Sequence, residues 1–401
     1  MTFIIRNTPS PQIAKLFLFS SFVWAAVVGP LSAVLILAHN GATSQQIGVV
    51  TALCAVASMV FAPVFGYFSD KIGSARKVLC FCLFVSAIFF GSVLFSTNLL
   101  IVSVLLILEA LFRSGVVGLL DSHVISETKA IPGLQYSHIR MSGSISFGGI
   151  SLFFSFVINE AGVMAMVPIS VGVAMLGVCF GLLVAKGSHE AKDKSHLRVQ
   201  RAKSNLRKDA ASLVKNRGFM VLVFFAGLCA LATMPLFIFL IEFVTVLGGS
   251  PGQVLLIHAM RCAVEIPVFI YMGIKCKNTD PKKLMIVGAT LTLVNVMGIF
   301  FAASVTTLLL SHALAGAPGF IILLTGRLRY LNTVAPEAVR STSITLMVTG
   351  EIAIGSIIGN LLAGLLLGNF GTSQLTLMSF GAMLLAIVLL RFIPVALTES
   401  Q

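Results

Sequence analysis

Charge is scarce in this chain. Only 10% of its 401 residues are Asp, Glu, Lys or Arg, where a soluble domain carries about 25%. Acid is scarcer than base, with 14 Asp and Glu against 27 Lys and Arg and a net charge of +13. Tryptophan occurs once, at Trp24. No Gly-x-x-x-x-Gly-Lys-Ser/Thr loop is present, so ATP is not the expected energy source. No group of His and Cys stands at zinc spacing, and no metal or cofactor is expected. No clustered nucleophile and base appears, so the chain does not read as an enzyme. The first ten residues hold Arg6 and Pro9 and no small-residue cleavage site follows a short apolar core, so the first apolar run reads as a retained span. What the chain has in abundance is apolar surface: 57% of residues are hydrophobic and the mean hydropathy is +1.03. A chain of this kind uses the bilayer as its solvent.

A membrane helix needs about 20 apolar residues. Spans are expected near 13–38, 46–68, 76–96, 98–123, 141–158, 162–185, 218–246, 252–274, 284–304, 306–328, 341–368 and 372–395. All but two of the 27 Lys and Arg fall on alternate connections: the N-terminus, 69–77, 124–140, 186–217, 275–283, 327–340 and the C-terminus. The opposite connections are short and carry one charged residue, Glu160. Basic excess marks the cytoplasmic side, so both termini are expected there, in a multi-pass protein of a bacterial inner membrane. Because the basic residues lie in short loops beside spans, the positive charge argues for contact with the lipid bilayer and against nucleic acid. None of the seven cysteines falls in an outward connection, so no disulfide is expected. The stretch from Lys186 to Arg217 carries ten Lys and Arg against Glu190, Asp193 and Asp209. It reads as a cytoplasmic linker. The expected organisation is an all-α membrane protein: a six-helix bundle over 1–185, the linker 186–217, and a second six-helix bundle over 218–401. Such a duplication suggests a transporter with its site between the halves.

The two basic residues outside this pattern, Arg113 and Arg261, lie deep in apolar runs, each four residues from a glutamate. A lone arginine at mid-membrane costs about 2.5–3.5 kcal/mol, so a partner is expected, and buried charge marks a substrate or ion pathway. Glu109 and Arg113 share a helix face, as do Arg261 and Glu265. Each pair reads either as a wall of a water-filled cavity or as a static structural contact. His258, His312 and Glu351 are further buried polar candidates. Glu351 has no arginine near it in sequence, which fits a proton site, and a histidine can protonate near neutral pH. Trp24 sits mid-span, away from the interfacial belt usual for tryptophan. It is suited either to stacking on a ring-bearing solute or to packing. Gly350, Gly355, Gly359 and Gly364 read as close helix contact in the eleventh span.

Between the second and third spans stands Gly66-x-x-x-Asp70-Lys71-x-Gly73, followed by Arg76-Lys77. It reads as a tight turn whose glycines let helices approach and whose Asp70 sits at a helix N-terminus or pairs with a cation. This resembles the loop signature of the major facilitator superfamily, with Ser74 and Ala75 inserted before the basic pair. The stretches around Arg113 to Asp121 and Tyr136 to Gly148, and Glu265-Ile266-Pro267, resemble the branch that holds lactose permease, phenylpropionate permeases, nucleoside–proton symporters and sugar efflux transporters. That resemblance implies twelve helices in two pseudo-symmetric bundles. It implies solute binding by Asp121 and Arg140, and by the acid at Glu265. Arg140 is read equally as a cytoplasmic anchor. The Gly-Pro-rich fifth-span signature of drug–proton antiporters is absent. The function implied is proton-coupled uptake of a small organic solute by alternating access, driven by the proton gradient and carried out by a monomer. The alternatives are a proton-driven exporter of sugars or drugs and, more remotely, a membrane sensor that does not transport.

The charge asymmetry makes a direct prediction. Alkaline phosphatase fused at Thr97–Asn98 or Gly248–Pro251 will be active in bacteria, and fused within 186–217 it will be inactive. The reverse pattern would invert the orientation.

Overall fold

The computed structural model describes residues 11–130, 136–183, 215–276, 279–335 and 340–393. The expected linker lies outside them except for its last three residues. Among the described residues eleven helices are long and apolar enough to cross a membrane: Ser44–Ile72, Ala75–Phe95, Leu99–Thr128, Ile139–Ala161, Val163–Leu183, Arg217–Ile238, Pro251–Ile274, Pro281–Phe300, Val305–Val334, Ser343–Phe370 and Thr372–Phe392. They are the second to twelfth spans. The first apolar segment is broken into Pro11–Ala26, Val28–Leu31 and Ala33–His39. Pro30 within it has no amide hydrogen to give to the helix ladder, and Ser32 donates its hydroxyl to the Val28 carbonyl at 2.9 Å. Leu100, Leu182, Val246 and Phe301 are exposed, as residues facing lipid tails should be.

Several helix ends are written in local sequence. Asn216 accepts from the Phe219 amide to start the seventh span. Asp280 accepts from the Lys282 amide to start the ninth, with Pro281 at the first helical position. The second helix runs on to Ile72, beyond the expected 68, and the tenth runs to Val334, beyond the expected 328. Their extensions are polar, and hydropathy alone ends a helix too early.

The chain divides into two compact units, Met1–Asn40 with Ala57–Leu197, and Gly41–Val56 with Arg198–Gln401. Within the first unit the main packing is third span on fourth, first on sixth, third on sixth and first on fifth. Within the second it is ninth on tenth, seventh on twelfth, ninth on twelfth and seventh on eleventh. The same four pairings thus recur six spans later. A matching polar detail accompanies them. Arg76, opening the third span, donates to the Gly181 carbonyl at the end of the sixth at 3.0 Å. Lys282, opening the ninth, donates to the Ile393 carbonyl after the twelfth at 2.8 Å. Each cation satisfies a carbonyl that a helix end leaves without a partner.

The grouping of Gly41–Val56 with the second unit follows from close packing. A Cβ on Gly48 would meet the Asn360 carbonyl oxygen at 2.6 Å and the Gly364 Cα at 3.0 Å. Ser44 donates to the Glu242 carboxylate at 2.8 Å. The eleventh-span glycines have separate partners: Gly350 faces Val223, Gly355 faces Ala230 and Gly359 faces Pro235, all on the seventh span. Small residues let these backbones approach, which supplies dispersion contact where lipid offers no hydrophobic drive.

A Cβ at Gly355 would fall on the Cβ and backbone of Ala230. Gly355→Val will therefore overpack the contact at a cost of about 1–3 kcal/mol. Lower thermal stability of the detergent-purified variant, read by size-exclusion after heating, checks this, and an unchanged midpoint would refute the packing.

Candidate functional site

In the first unit, the fourth span places Glu109 and Arg113 on one face. Arg113 Nε donates to Glu109 Oε1 at 2.9 Å and to Oε2 at 3.2 Å. Ser86 of the third span donates to the same Oε1 at 2.9 Å. Glu109 is 1% exposed, whereas the Arg113 side chain keeps 20%. A cavity of about 10 Å³ lies beside it, lined by Ala26, Ser86, Arg113 and Ser170 among others, room for about one water. The carboxylate is thus the enclosed member of the pair, held from two helices.

Arg140 makes a different contact. Its guanidinium lies 4.1 Å from the centroid of the Trp24 ring, within cation–π range. Gly143 makes this possible, since a Cβ there would come within 3.0 Å of the indole and 2.6 Å of Arg140 Nη1. Trp24 is a partner for Arg140 that the resemblance does not supply. Among the described residues the buried indole Nε1 has no hydrogen-bond acceptor. The stack therefore offers guanidinium and indole donors together. Asp121 is half-buried on the fourth span and is engaged in interactions of its own.

In the second unit, Arg261 Nε donates to Glu265 Oε1 at 2.9 Å, with 19% and 11% of the side chains exposed. Two phenylalanines that sequence reading did not single out complete the cluster. The Arg261 guanidinium lies 4.8 Å from the Phe320 centroid and 5.9 Å from that of Phe237. The His258 ring lies 4.3 Å from Phe237, tilted by 34°, and its buried Nδ1 has no partner among the described residues. His312 is buried, with Nδ1 3.3 Å from the Leu308 carbonyl, and it opens a π-helical turn, His312–Gly316. The seventh, eighth and tenth spans thus converge on one polar and aromatic cluster.

Glu351 corrects the sequence reading. It is not an acid without an arginine: Arg327 Nη1 donates to Glu351 Oε1 at 2.8 Å. The sequence puts Arg327 where the expected tenth span meets the basic connection 327–340; the helix runs on to Val334 and leaves the residue 5% exposed. Here the arginine is the enclosed member, at 6% side-chain exposure against 19% for the acid.

The loop residues also take particular roles. Gly73, at φ 80°, ends the second helix in the left-handed conformation that suits glycine. Among the described residues no atom lies within 4 Å of a Cβ on Gly66, so close helix approach does not account for that glycine. Asp70 and Lys71 are exposed and lie in the last turn of Ser44–Ile72, so Asp70 is not at a helix N-terminus. Arg76 is buried and caps the sixth span.

Three solved structures of similar shape are transporters by title. A point mutant of the nucleoside transporter NupG matches with a TM-score of 0.79 at 16% identity, over 95% of this chain and 98% of that one. A D-xylose-proton symporter matches at 0.71 and 14%, over 96% and 97%. A mutant of the peptide transporter POT matches at 0.69 and 12%, over 95% and 93%. At these identities the likeness establishes the fold. A comparison with curated proteins gives no match. The profile of the "MFS_1 like family" matches residues 13–378. With the duplicated packing and the multi-pass helices, that match establishes the chain as a member of the MFS_1-like family of major facilitator transporters.

Proposed function

We propose that this protein takes up a small, ring-bearing organic solute rich in hydrogen-bonding groups, in symport with protons, across a bacterial inner membrane. The observation that carries the reading is the cluster of Phe237, His258, Arg261, Glu265 and Phe320. Arg261 is already oriented by Glu265 and flanked by two aromatic faces. It can therefore meet a solute without first paying to be ordered. Phe faces and the buried His258 nitrogen suit a flat ring with a polar edge. Arg140 and Trp24 in the first unit suit oxygen acceptors such as hydroxyls or a carboxylate. A nucleoside-like solute has both features, and the names of two similar structures, a nucleoside transporter and a xylose-proton symporter, lie in the same chemical range.

Glu265 and Arg261 act as one receptor. Glu265 fixes the guanidinium, and the partly exposed Arg261 presents its remaining donors to a solute hydroxyl or carbonyl oxygen. Coupling to protons follows from charge: a carboxylate neutralised by a proton is less costly to enclose in a low-dielectric interior than an ionised one. The energy source in this reading is the proton gradient, with no cofactor.

A thermal-shift screen of nucleosides, pentoses, hexoses, aromatic acids and dipeptides on the purified protein will give hits in the nucleoside class. Uptake of those hits into proteoliposomes will require an inward proton gradient. Stabilisation by dipeptides alone, or accumulation that runs only outward, would reverse the assignment.

Glu265→Gln will lower gradient-driven uptake of the same solute by roughly tenfold or more, the loss expected from removing a charged hydrogen-bond partner. Unchanged uptake would remove Glu265 from the site. Trp24, the sole tryptophan, will report the first unit. Its emission will be quenched by the transported solute and not by a non-binding stereoisomer. Equal response to both would assign Trp24 to packing.

A further inference from the structure

The Arg327–Glu351 pair differs from the other two buried pairs in three ways. It joins two helices, 24 residues apart in sequence, where Glu109–Arg113 and Arg261–Glu265 each lie within one helix. Its acid is the more accessible partner, at 19% against 6%. Among the described residues its arginine is not fully satisfied, since Arg327 Nε is buried with no acceptor there. A fourth feature adjoins it. Immediately after Glu351 the eleventh span becomes a π-helix, Ile352–Ile358. Such turns hold one residue too many for the α ladder and are found mostly at functional sites.

These observations belong together. The π turn packs on the seventh span, through Gly355 on Ala230 and Ile354 on Gly227. Its register is adjoined on one side by the tether from Glu351 to Arg327. In an α-helix one residue corresponds to a rotation of about 100°, so loss of the extra residue from the π turn would swing the helix beyond it. Among the described residues, the charged or titratable groups that act on Glu351 are Arg327 from the tenth span and Cys229 from the seventh. Cys229 is buried, and the arginine dominates.

We propose that Glu351 is the carboxylate that exchanges a proton during the transport cycle, and that its release from Arg327 allows the π turn of the eleventh span to rewind. This rests on the proton-coupled transport proposed above. The step is a protonation: a solvent proton adds to a Glu351 carboxylate oxygen, the ionic hydrogen bond from Arg327 Nη1 is lost, and Arg327 keeps its own proton. The guanidinium, enclosed and now without a counter-charge, is costly to leave as it stands. That cost favours a rearrangement of the helix that carries the acid. Arg327 is a positioning residue here, and Glu351 the proton carrier.

The test needs no solute, so its failure is separable from failure of the uptake reading. Infrared difference spectra of the purified protein between alkaline and acidic buffer will contain a protonated-carboxyl band that is missing in Glu351→Gln and retained in Glu160→Gln. Amide hydrogen exchange in a peptide covering 352–358, corrected for intrinsic chemistry, will change by roughly tenfold between the same buffers in the native protein and stay constant in Glu351→Gln. If Glu351→Gln does not fold, the neutral pair Arg327→Gln with Glu351→Gln takes its place, with the same outcomes expected. A carboxyl band that persists in the variant overturns the assignment of the proton, and exchange over 352–358 that ignores pH overturns the rewinding. Uptake that fails while both signals appear would instead overturn the transport reading.

Discussion

A guanidinium cannot be left alone in a hydrocarbon interior, and this constraint organises the polar content of the protein. Arg113, Arg261 and Arg327 each place a nitrogen 2.8–2.9 Å from a glutamate oxygen. The fourth, Arg140, lies on the face of Trp24. The pairs are not equivalent. A same-helix pair satisfies its charge locally and leaves its helix free to pack as it will. A pair that joins two helices ties their relative position to its own ionisation. Only Arg327–Glu351 among these three is of the second kind, and it stands next to an irregular turn.

The distribution of exposure within each pair bears on what the pair can do. Glu109 is enclosed by Ser86 and Arg113, which suits a fixed structural charge. Glu265 and Arg261 are both partly accessible and sit among aromatic rings, which suits a receptor. Glu351 is the accessible end of a pair whose arginine is enclosed. Around these polar points the helices are held by small residues and by backbone caps. Gly350, Gly355 and Gly359 of the eleventh span settle onto the seventh, and Arg76 and Lys282 close the ends of the sixth and twelfth in the same way in each unit.

Much of this was legible beforehand. The apolar spans follow from composition along the chain, because hydrocarbon tolerates neither exposed backbone nor unpaired charge. The pairs Glu109–Arg113 and Arg261–Glu265 could be read because a helix brings residues four apart onto one face. The burial of Arg327 gave no signal because it stands where hydropathy ends the tenth span, whereas the helix runs on to Val334. Glu351 was misread as solitary because its partner lies on another helix. Phe237 and Phe320 gave no signal among 31 phenylalanines. Nor could Gly66 and Gly73 be told apart, although one sits in open space and the other ends a helix at positive φ.

The chain by itself determined that it is a multi-pass helical membrane protein, and which charges had to be matched within a helix. Those outcomes depend on neighbours in sequence and on the solvent. Tertiary structure alone decided that Arg327 meets Glu351, that Arg140 lies on Trp24, and that aromatic rings flank Arg261. Contacts between helices depend on rotation and depth of each helix about its axis, and no local pattern specifies these.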